Sequence, residues 1–176
     1  MQQNWLLPLQ RQTLGAQRLF ELTSLSTIEL RAGGSLLRSF TYANQDERNY
    51  VEQVFGFARS KNTRIHLLKE DNSPLGFVAL SVRNFNDVPS VIIEYLFVSV
   101  PHRGQPYPNL SDQPLRVSEY LLGQAISMAN SAWSMLPLRY MALNLADDCL
   151  EQLYSRYGFY RVEGAGSWMV MVLPAT

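Results

Sequence analysis

Cysteine, histidine and lysine are scarce in this chain of 176 residues. Cys149 is the only cysteine, which excludes an intrachain disulfide and indicates a reducing compartment, so we expect a cytoplasmic protein. His66 and His102 are the only histidines. One cysteine and two histidines do not supply the usual His/Cys ligand set, so we predict that the protein binds no metal.

Long apolar runs and an excess of charge of either sign are also missing. No run approaches the roughly 20 apolar residues that span a bilayer. The N-terminal MQQNWLLPLQ lacks the basic start and apolar core of a signal peptide. With 15 basic and 15 acidic residues, the formal net charge is zero. These absences predict no membrane partner and make nucleic acid an unlikely partner.

The residues that are present predict helices and strands in one domain over residues 1–176. Helices are predicted over 13–22, from Asn44 or Asp46 to Arg59, after the loop at 101–115 to about Trp133, and from Asp147 or Asp148 to Gly158. Strands are predicted over 5–9, 63–68, 75–82, 91–100 and 138–145, and in FYRVE and SWMVMVL. Helical crossovers require some parallel pairing, whereas tight turns require antiparallel pairing. The expected class is α/β (α+β), with a mixed sheet and helices on both faces.

Two motifs in a fixed order resemble a known family. VIIEYLFVSVPHRGQ is a strand followed by Val-Pro, a basic residue and Arg-Gly, and LYSRYGF has the form Leu-Tyr-x-x-x-Gly-Phe. With the helix and strand between them, they resemble the GNAT superfamily of acetyl-CoA-dependent N-acetyltransferases over residues 60–173. The resemblance implies the GNAT fold, a mostly antiparallel sheet of six to seven strands. It also implies acetyl-CoA as co-substrate and transfer of the acetyl group to a primary amine by direct attack in a ternary complex.

The family's cofactor loop is glycine-rich, and this chain departs from that pattern. Gly104 fits the loop, but Pro106 and Pro108 follow, and proline has no N–H to offer a phosphate. A second register treats PYPNLSDQPL as an insertion, so that Arg116 and Ser118 occupy glycine positions and assist with side chains. The resemblance also implies that the backbone of 98–100 binds the pantetheine arm. The predicted cofactor residues are therefore Val98, Ser99, Val100, Arg103, Gly104, Gln105, Arg116 and Ser118. The alternative is a proline-stiffened loop without ligand contact.

Two residues are candidates for catalysis. Glu94 interrupts an apolar strand, where an unpaired charge is costly, and the resemblance implies a general base there. Its alternative is a salt-bridged surface residue. The resemblance also implies that Tyr154 reprotonates the leaving thiolate of coenzyme A, and its alternative is a core tyrosine. Cys149 is expected to be a buried structural residue rather than a nucleophile.

The acceptor is the least defined part of the prediction. We expect a small-molecule or peptide amine, with nucleic acid unlikely and a homodimer possible through the strands FYRVE and SWMVMVL. A non-catalytic acetyl-CoA-binding or protein-interaction domain with a degenerate loop is the rival interpretation. A third is a toxin that acetylates aminoacyl-tRNA, for which a local arginine patch could serve (Arg11, Arg18, Arg31, Arg38).

Overall fold

The computed structural model describes residues 20–60, 62–108, 110 and 114–175. Within them the strands are β1 Phe20–Ser24, β2 Arg64–Glu70, β3 Ser73–Phe85, β4 Val88–Val98, β5 Pro106–Tyr107, β6 Leu115–Arg116, β7 Tyr140–Asn144, β8 Tyr160–Arg161 and β9 Trp168–Val172. The helices are α1 Thr27–Arg31, α2 Gly34–Ser39, α3 Gln45–Arg59, α4 Val117–Trp133 and α5 Glu151–Ser155. No helix among the described residues is long and apolar enough to cross a membrane.

The main sheet has seven strands in the order β1-β2-β3-β4-β7-β9-β8. All its neighbouring strands pair antiparallel except β4 and β7, which are parallel because α4 carries the chain across the sheet between them. The short strands β5 and β6 form a separate hairpin. The predicted mixed, mostly antiparallel sheet is therefore confirmed.

Helices cover both faces of the sheet and enclose two cores. On one face α3 buries Val51, Val54 and Phe55, which recur at helical spacing and pack on the phenylalanine-rich middle of β3 and β4. The Asn44 side chain begins this helix by accepting a hydrogen bond from the Glu47 N–H at 2.8 Å. On the other face α4 buries a separate aliphatic cluster. Helices on both faces were predicted, and the structure confirms them.

Two local predictions differ from the structure. The predicted helix over 13–22 is wrong for its last residues, because Phe20–Ser24 is a strand paired with β2. Residues 13–19 and the predicted strand at 5–9 lie outside the described residues. The predicted helix from Asp147 to Gly158 is divided into a 3₁₀ turn, Asp148–Leu150, and the short helix α5. Gly158 still ends this segment, with a left-handed φ of 93°.

Candidate active site

The two central strands of the sheet separate halfway along their length. Pairing of β4 with β7 runs from Ser90 opposite Tyr140 to Ile93 opposite Leu143 and ends there. At the same point β4 has a bulge, since Ala79 of β3 faces Tyr95 and the next residue, Leu80, faces Ile93. Glu94 is the extra residue. A bulge bends its strand, so β4 turns away from β7 and a fork opens between them.

A cavity of about 810 Å³ occupies this fork. Its walls come from the second half of β4, the end of β7, the first turns of α3 and α4, and α5. It reaches from the β4–α4 loop at one end to Arg83 and Trp168 at the other. Such a cavity can hold an elongated ligand that enters along the loop and meets a second molecule at the fork.

β3 and β4 lie close together beside the cavity, and only glycine fits at one position. A Cβ on Gly76 would lie 2.3 Å from the Phe97 carbonyl oxygen, too near for any side chain. Gly76 pairs with Val98, which is buried and lines the cavity. The close approach therefore fixes the β4 wall of the cavity.

The predicted cofactor residues divide into two groups. Four of them line the cavity: Val98, Arg103, Gly104 and Ser118. The others lie outside its walls: Ser99, Val100, Gln105 and Arg116. The structure thus brings the β4–α4 loop and the start of α4 together at one cavity, with Ser118 but not Arg116 of the second register in its wall. The assignment of these residues to a cofactor stays a prediction.

Other groups of the same chain already form hydrogen bonds with the backbone that was predicted to bind pantetheine. The Ser99 N–H donates to the Leu75 carbonyl at 2.9 Å, and the Val100 N–H donates to the Thr41 carbonyl at 3.0 Å. The Arg103 Nε donates to the Val98 carbonyl at 2.8 Å. The part of β4 that pairs only with β3, between Glu94 and Val98, is instead the stretch that faces the fork.

Arg103 is held in place by an ion pair. Its Nη2 lies 2.6 Å from a carboxylate oxygen of Glu47 in the first turn of α3, and its guanidinium lies 5.7 Å from the Phe97 ring centre. Its neighbour Gly104 has a φ of 71°, which favours glycine, and nothing lies within 4 Å of where a Cβ would be. The open backbone at Gly104, rather than the arginine, is the ready contact for a ligand.

The prolines belong to a small hairpin beside the cavity. Pro106 and Tyr107 pair with Arg116 and Leu115, so the two ends of the insertion lie side by side at the start of α4. The Tyr107 hydroxyl lies within hydrogen-bonding distance of the His102 Nδ1, and its ring meets Phe20 edge to face. Burial lowers the pKa of His102, which keeps this imidazole neutral near pH 7. The insertion is therefore anchored at its base.

Glu94 is satisfied by its neighbours on β3. The Ser81 hydroxyl and the Arg83 Nε both donate to one carboxylate oxygen, and the Arg83 Nη2 donates to the other at 3.3 Å. The Arg83 guanidinium also lies 5.7 Å from the Trp168 ring centre. Glu94 lines the cavity, but as one half of an ion pair. Its role as a general base stays a prediction.

Tyr154 on α5 faces the same cavity from the α4 side of the sheet. Its ring packs edge to face on Phe159, and burial raises the pKa of its phenol. No protein group within the described residues makes a hydrogen bond to this hydroxyl. An unpartnered, protonated phenol in a cavity can donate a proton to a ligand.

Tyr95 is a cavity residue that the sequence did not reveal. It follows the bulge residue, packs with the α3 layer and meets Tyr50 edge to face at 4.8 Å. Burial, and next the negative charge of Glu47, raise the pKa of Tyr95 to about 12. The run IIEYLFV is apolar on both faces, so alternation cannot separate Tyr95 from core residues; only its place beside Glu94 could have marked it.

The structure places the groups that could bind a metal ion or act as a nucleophile. Among the described residues no group of three or more His, Cys, Asp or Glu side chains could hold a metal ion. Cys149 was expected to be buried, but it is exposed at the turn that Asp147 caps. A hydrogen bond with Asp147 raises the pKa of the Cys149 thiol, which opposes thiolate formation. Cys149 is also absent from the cavity walls.

Comparison with known proteins identifies the fold. No protein-family model and no curated protein matches the sequence. AtaTR bound with acetyl-CoA has a TM-score of 0.69 at 17% identity, over 87% of this chain and 92% of that chain. AtaT complexed with acetyl-methionyl-tRNAfMet has a TM-score of 0.69 at 15% identity, over 87% and 94%. A mutant of KacT has a TM-score of 0.67 at 13% identity, over 87% and 94%.

AtaT and KacT are toxins with the GNAT fold of acetyltransferases. This chain has the same fold, so the fold implied by its two motifs is confirmed. The resemblance was visible in the strand that is followed by VPHRGQ and in LYSRYGF, although overall identity to these structures is low.

The predicted partners are wrong. We expected a small-molecule or peptide amine and considered nucleic acid unlikely because the net charge is zero. Proteins of this fold and similar length have been solved with acetyl-methionyl-tRNAfMet, and as an AtaT–AtaR complex and a KacTA complex bound to DNA. Net charge sums the whole surface and does not report the local field where a polyanion binds, so it cannot exclude such a partner.

Proposed function

We propose that this chain transfers the acetyl group of acetyl-CoA to the α-amino group of an aminoacyl-tRNA. The observation that carries the proposal is the cavity at the fork of β4 and β7, continuous with the loop that leads into α4. Its support from other proteins is that the same fold binds acetyl-CoA in AtaTR and acetyl-methionyl-tRNAfMet in AtaT.

The donor would lie along the β4 wall. Its pyrophosphate would meet the open backbone at Gly104 and the first turn of α4 at Ser118, where unpaired N–H groups and the helix dipole favour an anion. The pantetheine arm would follow the edge of β4 between Glu94 and Val98, which lacks a strand partner on the β7 side. The thioester then lies at the fork, near Tyr154.

The charges in the cavity suit an amine that needs little help to lose a proton. Three of the four carboxylates that line the cavity are already engaged: Glu47 by Arg103, Glu94 by Arg83, and Glu119 by the Arg116 N–H. The fourth, Asp46, lies in the first turn of α3. An α-amino group has a pKa near 7.7–8.0, so about a tenth of it is the free base at pH 7. A lysine-type amine, with a pKa near 10.4, is free in only about one molecule in a few thousand. The α-amino acceptor therefore fits this site better.

The chain's own part is to position the reactants and to supply one proton. The amine lone pair forms the new C–N bond, and the carbonyl electrons move onto oxygen. When they return, the C–S bond breaks and its electron pair stays on sulfur. The Tyr154 phenol then protonates the thiolate. The nitrogen loses its extra proton to water, and water returns a proton to Tyr154, which restores the phenol. No cysteine or serine nucleophile is required by this direct transfer.

The test uses the purified full chain, labelled acetyl-CoA and a tRNA pool charged with all amino acids. We expect label in the tRNA fraction, released by mild alkali as an N-acetyl amino acid that mass spectrometry identifies. Uncharged tRNA and a panel of free amines are the controls and should stay unlabelled. Transfer should weaken as salt rises, because the phosphates of tRNA contribute to binding.

Two outcomes would overturn the proposal. Acetyl-CoA binding without transfer to any aminoacyl-tRNA would support the non-catalytic domain with a degenerate loop. Equal transfer to charged tRNA and to free amino acids, at any salt concentration, would remove tRNA from the substrate.

A further inference from the structure

Two tyrosines border the fork from opposite faces of the sheet. Tyr95 packs with the α3 layer, whereas Tyr154 packs with the α4 layer, and both line the same cavity. Neither hydroxyl has a hydrogen-bond partner in the part of the chain that the structure describes. Only Tyr154 has a function in the reaction described above, so the hydroxyl of Tyr95 lacks an explanation.

Tyr95 is placed at the reaction centre by the bulge. It is the first residue after Glu94, at the point where β4 leaves β7. It lies three residues before Val98, about 10 Å along the strand from the cofactor loop. A group at this position meets the acyl end of a bound acetyl-CoA rather than its phosphates.

The reaction calls for a hydrogen-bond donor there. Attack by the amine places a negative charge on the thioester oxygen, and a preorganised donor stabilises that charge. Glu94 cannot donate, because it is a carboxylate that already accepts from Arg83 and Ser81. Tyr95 keeps its proton, since its pKa is raised to about 12.

We propose that the Tyr95 hydroxyl donates a hydrogen bond to the thioester oxygen of acetyl-CoA and to the oxyanion that forms there. Both tyrosines then act on the thioester group: the Tyr95 hydroxyl donates a hydrogen bond to its oxygen, and the Tyr154 hydroxyl donates a proton to its sulfur. Tyr95 transfers no proton, so it leaves the balance of the reaction unchanged. This proposal rests on the proposed function, of which it specifies one contact.

The test is Tyr95→Phe, which keeps the ring and removes only the donor. The ring packs on Phe77, Phe97 and Tyr50, so we expect an unchanged melting temperature and acetyl-CoA affinity. The turnover number should fall about a hundredfold, as for loss of one oxyanion donor. Tyr50→Phe is the matched control, because it removes a neighbouring, more exposed hydroxyl of the same aromatic pair and should leave the turnover number unchanged.

An infrared measurement separates this proposal from the proposed function. Acetyl-CoA, isotopically labelled in its carbonyl, should show a lower carbonyl stretching frequency when bound to the wild-type chain, because a donor polarises the bond. The shift should be lost in Tyr95→Phe and kept in Tyr50→Phe. An equal shift in the wild type and Tyr95→Phe would overturn the role of Tyr95. So would a raised acceptor KM with an unchanged turnover number. Failure of acetyl-CoA to bind the wild type would instead overturn the proposed function.

Discussion

The polar groups at the two ends of the cavity differ in how fully other groups of the chain engage them. At the loop end, Arg103 is held by Glu47 and Val98, and His102 is held by Tyr107. At the fork end, Glu94 is paired with Arg83, whereas the hydroxyls of Tyr95 and Tyr154 have no hydrogen-bond partner among the described residues. Groups that are engaged build the walls, while groups that are desolvated and unengaged are left for a ligand. The comparison indicates that the reacting groups lie at the fork and that the groups at the loop end shape the wall of the cavity.

Tyr154→Phe should have the largest effect of the changes that test this comparison. We expect the turnover number to fall about a hundredfold, because the thiolate loses its proton donor. The melting temperature and acetyl-CoA affinity should hold, since Phe keeps the contact with Phe159. In the wild type, the raised pKa of Tyr154 keeps the phenol protonated, so activity should show no alkaline decline below about pH 10.

The matched control is Tyr157→Phe, a second cavity tyrosine just after α5. Its turnover number should stay within about twofold of the wild type. Equal losses in the two variants would show that any hydroxyl in this region matters, and would remove the special role of Tyr154.

Replacement of Arg103 should have an intermediate effect and tests the loop end. If Arg103 touches the pyrophosphate, Arg103→Ala should weaken acetyl-CoA binding about tenfold in calorimetry. Glu47→Gln tests whether Arg103 contacts the ligand or only shapes the cavity wall. It removes the negative charge that holds the Arg103 guanidinium at 2.6 Å but leaves Arg103 present. Affinity should then hold or rise.

A parallel loss of affinity in Arg103→Ala and Glu47→Gln would show that the ion pair only shapes the wall. Arg116→Ala is the control on the loop. Its side chain is outside the cavity walls, so we expect less than about a twofold change in affinity.

Glu94→Gln should have the smallest effect, because Glu94 is the engaged group at the fork. We expect a turnover number reduced about threefold or less, by the same factor from pH 6.5 to 9, as for a residue that positions Arg83. A deficit that shrinks as pH rises would identify base catalysis instead, since the free amine becomes abundant without help. The pH profile of the turnover number decides between the two roles.

The fold was predictable where the sequence has strong local patterns. The helix at Gln45–Arg59 has a capping asparagine and an apolar stripe, and the helix at Val117–Trp133 repeats its apolar residues at helical spacing. Phe20–Ser24 was missed because Leu14, Leu19 and Leu22 also fit a helix. Its strand form depends on pairing with a segment almost fifty residues away.

The candidate site was predictable in its location and less so in its contacts. The two motifs place Gly104, Ser118, Glu94 and Tyr154 around one cavity. The partners of Arg103 and Glu94 come from α3 and β3, and spacing along the chain says nothing about which side chains meet across the fold. Tyr95 could not be predicted, because a strand buried on both faces shows no alternation of apolar and polar residues.

The fork has a mechanical consequence for the sheet. Among the described residues, strand pairing joins its two parts, β1–β4 and β7–β9, at the four residue pairs between Ser90–Ile93 and Tyr140–Leu143. A seam of this length is the place where the sheet opens most readily, since few backbone hydrogen bonds cross it. A molecule that lies along β4 in the fork and bonds to its backbone takes the place that a neighbouring strand would have there. Amides from Glu94 to Val98 should therefore exchange with solvent more slowly once that molecule is bound.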